Sequence, residues 1–199
     1  LYSQNGTTEA MANSGIGYQT GWYNVTGTNN TYVGYYSGVG ASGESNSYNT
    51  GVGVKSLYRI TTGQFNQAFG YQSGEDLTSG GHNALYGADA GAGLTVASQS
   101  VFIGSQAGTT PTTGNANIGI GYDAMSGATT TGNWNIAIGL SAMDAVTSGY
   151  NNVAIGRDAM GTGTLTGFHN IAIGKNAGLS IAGGYNHILL GPTAGDALT

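Results

Sequence analysis

An apolar residue followed by glycine recurs along the whole chain at nearly constant spacing, and a chain built that way has few folds open to it. The glycines are Gly17, Gly34, Gly53, Gly70, Gly87, Gly104, Gly121, Gly139, Gly156, Gly174 and Gly191, spaced by 17, 19, 17, 17, 17, 17, 18, 17, 18 and 17 residues. Eleven copies cover residues 1–199, so the chain reads as one repeat array and not as two domains. A unit of 17 residues is too short for two helices or for a strand–helix–strand crossover of about 30 residues. It suits one coil of a parallel β-solenoid, each coil pairing with the next at about 4.8 Å to make an all-β rod about 50 Å long.

With each repeat glycine as position 0, the preceding residue is always apolar or aromatic. Position −4 is Asn in nine copies: Asn13, Asn30, Asn49, Asn66, Asn83, Asn117, Asn135, Asn152 and Asn170. Position +3 is always small, from Thr20 and Ser37 to Ala177 and Ala194. Positions −3 to −1, as in Ile136-Ala137-Ile138, form a β-rich run of period two, so −3 and −1 point to one side and −2 to the other. The glycine permits a corner, and a recurrent Thr/Ser-Gly pair such as Thr131-Gly132 marks a second turn. The extra residue of the 18-residue copies lies before that pair, so insertions bulge outward and leave the strands in register. Asn repeated at one corner is expected to stack as an amide ladder.

Position −2 is Gly or Ala in seven copies: Gly15, Gly51, Ala68, Gly119, Ala137, Ala154 and Ala172. The expectation is that −2 faces away from the coil interior and that its small residues admit a neighbouring copy, a candidate self-association surface. Neither Leu1–Ala12 nor Pro192–Thr199 reads as a polar cap, which predicts caps elsewhere or rods stacking head to tail. The start at Leu1, without initiator Met or leader, predicts a fragment or a processed product.

Composition removes several functions. Four Lys and Arg against nine Asp and Glu give a net charge of −5, too few cations to displace the counterions of a nucleic acid. Thirteen Tyr, four Phe and two Trp do not suit a disordered solvating tail. The lack of cysteine excludes a disulfide scaffold and a cysteine–zinc site. No apolar run is long enough for a membrane-spanning helix, so no membrane insertion by this segment is expected.

Groups able to do chemistry are sparse, and the expectation is no enzyme, no catalytic residue, no cofactor and no metal. His82 stands apart from His169 and His187, which fall in neighbouring copies at nearly equivalent positions and form at most a two-histidine pair. Asp89, Asp123 and Asp158 share position +2 and read as turn residues, with no Asp-x-Asp loop for calcium. Gly38–Gly43 matches a dinucleotide fingerprint, but no strand–helix unit surrounds it. Met125, Met143 and Met160 read as core packing. The aromatics divide between position +1, with Tyr18, Tyr35, Tyr71 and Tyr122, and positions −6 and −5, with Tyr48, Phe65, Trp134, Tyr150, Phe168 and Tyr185. Tyr18, Tyr35, Tyr71, Tyr122 and Trp134 are candidate glycan contacts; the competing reading is bracing of the sheet by same-face neighbours.

The unit N-[IVT]-[AG]-[IV]-G-x-x-A resembles the head repeats of trimeric autotransporter adhesins, and more closely the related repeats of phage tail-fibre and other virion fibre proteins. Adhesin heads use shorter coils, so the 17-residue period departs from theirs. The resemblance implies a left-handed parallel β-roll, a homotrimer of parallel chains and a surface-attachment fibre without catalytic residues. The expected function is therefore a structural and adhesive fibre segment, extracellular on a virion appendage or cell surface, resembling a phage tail-fibre rod that contacts host glycan. Two alternatives stand beside it. One is a bacterial adhesin or secreted filament subunit that assembles head to tail. The other is an ice-binding solenoid, although Thr-x-Thr ranks such as Thr129/Thr131 occur only sporadically.

Overall fold

A computed structural model describes residues 12–110, 112–163 and 165–195. The segments read above as uncapped ends lie largely outside these residues. Eleven three-residue strands, from Ser14–Ile16 to Ile188–Leu190, form a single sheet in which every strand pairs in parallel with its sequence neighbours. The result is a β-solenoid of about ten turns, with no helix among the described residues. Register is strict: Ile118, Ile136, Val153, Ile171 and Ile188 stand on one row, and Ile120, Ile138, Ile155, Ile173 and Leu190 on another. The 19-residue copy keeps this register, pairing Thr31 with Thr50, because its extra residues loop outward around Gly43, which has open space around it.

The corner after each strand depends on backbone that L-residues seldom adopt. The repeat glycines have φ between +112° and +142°, and at most of them a Cβ would run into the backbone of the next repeat glycine. Position +2 is left-handed in every copy whatever its side chain, as at Asp89, Asp123 and Asp158, and so is position −5, as at Tyr48, Phe65, His82 and Trp134. Such residues persist only where the surroundings over-determine them. Here coil-to-coil hydrogen bonds do so: Asp89 N–H donates to the Tyr71 carbonyl at 2.8 Å, and His82 N–H to the Gln64 carbonyl at 2.9 Å.

The structure reverses the expectation for position −2. Ala68, Ala137, Ala154 and Ala172 are fully buried, as is Gly51 and Gly119, and only Gly15 in the first coil is exposed. These residues line the coil interior and are no self-association surface. Alternation gives the reason: −2 lies on the same side of the strand as −4, and the −4 asparagines from Asn30 onward are buried. The opposite wall is the column of small +3 residues, Ser37, Ser56 and Ser73 followed by Ala90 to Ala177, all buried. Two backbones this close leave room for methyl groups.

Larger residues enter by trading volume with position +4. Tyr32, Leu85 and Phe102 at −2 accompany Gly38, Gly91 and Gly108 at +4, while Gly51, Gly119, Ala137 and Ala154 accompany Leu57, Met125, Met143 and Met160. A Cβ on Gly108 would stand 2.7 Å from the Phe102 ring, and one on Gly91 2.7 Å from Leu85. Leu77, Leu94, Val146, Leu165 and Ile181 fill the rest of the core. Tyr32 carries the one hydroxyl among the large core side chains. Its O–H donates to Asn46 Oδ1 at 2.6 Å, and burial pushes the phenol far above its ordinary pKa.

Candidate functional site

The asparagine corner is a staple between coils. Each side chain accepts from the −4 backbone N–H of the next coil and donates to that coil's −7 carbonyl. Asn66 Oδ1 accepts from Asn83 N–H at 3.1 Å and its Nδ2 donates to the Gly80 carbonyl at 2.9 Å; Asn135 and Asn152 repeat the pattern. Where the sequence departs from Asn, the ladder adapts. Ser100 receives Asn117 N–H on its hydroxyl at 3.3 Å, and His187 N–H donates to Asn170 Oδ1 at 3.1 Å. Buried amides consumed in this way are structural.

Since −2 points inward, −3 and −1 point outward, and these rows are apolar. From Val101 to Leu190 every outward strand residue is Val, Ile or Leu. Ile103, Ile173, Ile188 and Leu190 are exposed and the rest half-buried by their own row neighbours. The outward rows of the earlier coils are mixed. There Thr31, Thr50 and Gln67 alternate with Val33, Val52 and Phe69; Phe69 stacks on Tyr86 at 4.9 Å, and Tyr86 O–H donates to Gln67 Oε1 at 2.8 Å. A solvated sheet face ordinarily carries polar residues, and this one carries a continuous aliphatic strip instead.

The aromatic candidates do not form one site. Tyr18 and Tyr35 stack at 5.5 Å, and Tyr35 packs on Tyr36 at 4.1 Å, but Tyr71, Tyr122 and Trp134 are exposed without a ring partner among the described residues. Positions −5 and −6 build true ladders instead: Tyr48, Phe65 and His82 stack at 4.7 and 4.8 Å, and Tyr150, Phe168 and Tyr185 at 5.0 and 5.3 Å. Their ring faces are largely occupied by each other, which is the bracing arrangement. His169 stands edge-on to Phe168 with its Nε2 3.3 Å from Asn151, whereas His187 occupies the asparagine position of the last coil, so the two are not equivalent. Thr61, Thr78 and Thr112 also form a rank, but each hydroxyl donates to a carbonyl of the next coil.

Among the described residues no three of His, Asp and Glu come together to hold a metal ion, and no helix is long and apolar enough to cross a membrane. Three ion pairs, Lys55–Glu75, Arg59–Asp76 and Arg157–Asp158, engage three of the four cations. One carboxylate is perturbed. Burial raises the pKa of Asp144, the charge of Asp123 adds to the rise, and the Ser126 hydroxyl donating at 3.0 Å opposes it. A raised folded-state pKa means that the native protein binds this proton more tightly than the unfolded chain. The associated stability is present below the unfolded value of about 3.9 and is lost as pH rises through the folded one. Asp144→Asn is therefore expected to melt above the wild type at pH 7 and to lose that advantage toward pH 3, read as Tm against pH. A constant Tm difference across the range would assign the effect to something other than titration.

Comparison with protein-family models, curated proteins and solved structures returns no match, so the reading of function rests on the sequence pattern and the geometry.

Proposed function

We infer that the protein is a structural segment of an extracellular attachment fibre, assembled from copies of this chain that meet laterally through the outward −3/−1 face. The observation that carries the reading is the aliphatic strip from Val101 to Leu190 on a sheet that has no covering layer among the described residues. A sheet buried on both faces is the normal setting for parallel strands, and the described residues supply only one of the two layers. The face of eleven strands, each about 10 Å long and spaced at about 4.8 Å, amounts to roughly 500 Å² per copy. A pair would bury roughly 1,000 Å², the size at which specific interfaces begin. A third copy around a common axis, as the resemblance to virion and adhesin fibres implies, enlarges the contact of each chain.

The graded face favours parallel copies. In parallel, Ile meets Ile along coils 7 to 11 and the Gln67–Phe69–Tyr86 patch meets itself; in antiparallel, Thr31, Thr50 and Gln67 would be buried against bare isoleucines with their hydrogen-bonding groups unpaired. The test is native mass by sedimentation equilibrium, for the wild type and for Ile138→Glu/Ile155→Glu. The wild type is expected as a discrete oligomer, three chains on the fibre reading. The variant buries two carboxylates per copy and should dissociate at least about 1,000-fold more readily while keeping its β circular dichroism. A monomeric wild type at tens of micromolar would sink the proposal.

A further inference from the structure

Outside the sheet, one groove interrupts the regular outer edge. It is lined by Thr62, Gln64, Phe65, Ser79, Gly81 and His82, has a volume of about 270 Å³ and opens to solvent. Its origin is visible in the repeat. Position −6 carries Ser47, Gln64, Ser98, Asn115 and Asn133 in the surrounding coils, but Gly81 in this one. The missing side chain lowers the floor between the −8 row, Thr62 and Ser79, and the −5 row, Phe65 and His82.

The walls differ in chemistry. Phe65 lies between Tyr48 at 4.7 Å and His82 at 4.8 Å, so its ring is held flat and presents its edge to the groove. The side chains of Thr62, Gln64 and Ser79 make no hydrogen bond among the described residues, whereas the neighbouring Thr61 and Thr78 hydroxyls are committed to the next coil. Hydroxyl, carboxamide and imidazole groups thus converge on one apolar ring edge, and no Asp, Glu, Lys or Arg is among the lining residues. A rigid apolar ring edge bordered by a few polar groups suits a small ring that offers C–H groups and a rim of hydroxyls. The volume holds one such ring and not a drug-sized ligand.

We propose that this groove binds a single neutral hexopyranose unit, with the ring edges of Phe65 and His82 against the sugar's C–H groups and Gln64, Thr62 and Ser79 hydrogen-bonding its hydroxyls. None of the lining residues belongs to a strand, and the proposal does not depend on self-association.

The test is titration of the intact chain with methyl glycosides of glucose, galactose, mannose and N-acetylglucosamine, followed through histidine ring protons by NMR. The chain has only three histidines, so His169 and His187 serve as internal references. The expected result is a saturable shift of the His82 signals by at least one glycoside, with a Kd of about 1–10 mM as suits a shallow site, and no shift of the other two. Gln64→Ala should weaken binding about 10-fold, and Thr62→Trp, which fills the groove from an exposed position, should abolish it while the His169 and His187 signals stay in place. An oligosaccharide of the responding sugar separates the sources: tighter binding than the methyl glycoside assigns the groove to a glycan chain, equal binding to a free monosaccharide. No saturable His82 shift with any of the four, or a shift that survives Thr62→Trp, overturns the proposal.

Discussion

Asn66→Ala is expected to lower the free energy of unfolding by about 3–5 kcal/mol, one of the largest effects open to a single polar substitution in this chain. The side chain is fully buried and connects three coils. Its Oδ1 accepts from both the backbone N–H and the Nδ2 of Asn83, at 3.1 and 3.0 Å, and its Nδ2 donates to the Gly80 carbonyl at 2.9 Å and to Asn49 Oδ1 at 3.1 Å. Alanine leaves the Asn83 N–H and the Gly80 carbonyl without partners in a site closed to water, each costing about 1–3 kcal/mol. Asn83 Nδ2 keeps the Ala97 carbonyl and Asn49 Oδ1 keeps Asn66 N–H, which bounds the loss. Each coil touches only its neighbours, so the damage falls on the coupling between adjoining coils. The urea transition should broaden and its apparent m-value should fall, since the two blocks no longer unfold together. Stability within about 0.5 kcal/mol of the wild type, with an unchanged m-value, would show that the ladder is an ornament of the fold and not its staple.

The solenoid was legible from spacing alone, because a repeat this short, with an invariant glycine and a β-branched tripeptide, leaves little but a coil per copy. The direction of the side chains was legible too, but only if one more step is taken. Positions −4 and −2 lie on one side of the strand; a run of asparagines able to satisfy one another from coil to coil belongs inside, and −2 must then follow it inside. Reading the small residues at −2 as a contact surface inverts the coil and hides the isoleucine strip, which is the stronger candidate for contact. Small residues at −2 answer a crowded interior, where Ala137 faces the Ala142 wall, and not an approaching neighbour. The groove was not legible in the same way. It arises from one glycine, Gly81, in a chain with 38, and only the alignment of position −6 across coils sets that glycine apart. The left-handed backbone at −5 and +2 had no compositional signal, since Phe65, His82, Asp123 and Lys55 all occupy it. There the hydrogen bonds between coils override local preference.

The volume exchange between −2 and +4 predicts a pair of substitutions that damage the protein singly and largely repair each other. Phe102→Ala empties the largest apolar position of the core beside Gly119 and Gly108 and should cost about 3–5 kcal/mol. Gly108→Met forces a Cβ to within 2.7 Å of the Phe102 ring and should cost about 2–4 kcal/mol through overpacking and the left-handed backbone at φ +65°. Together they recreate what the chain already does elsewhere. Ala137 sits with Met143 and Ala154 with Met160, and both methionines are buried at φ +51° and +48°. In the double variant the methionine fills the space the phenylalanine left, and the ring it would have struck is gone. Only the backbone cost of a non-glycine residue at +4 and an imperfect fit over Gly119 remain. The double variant should thus lie about 2–3 kcal/mol above the sum of the two single losses, a coupling well beyond the few tenths seen between independent sites. Urea unfolding of the four proteins measures it. Additive losses would mean that the −2 and +4 columns vary independently and that the pairing of large with small has another cause; a positive coupling would establish the coil interior around Phe102 as a space shared between two positions six residues apart, as in the copies that pair a large residue at one with a small one at the other.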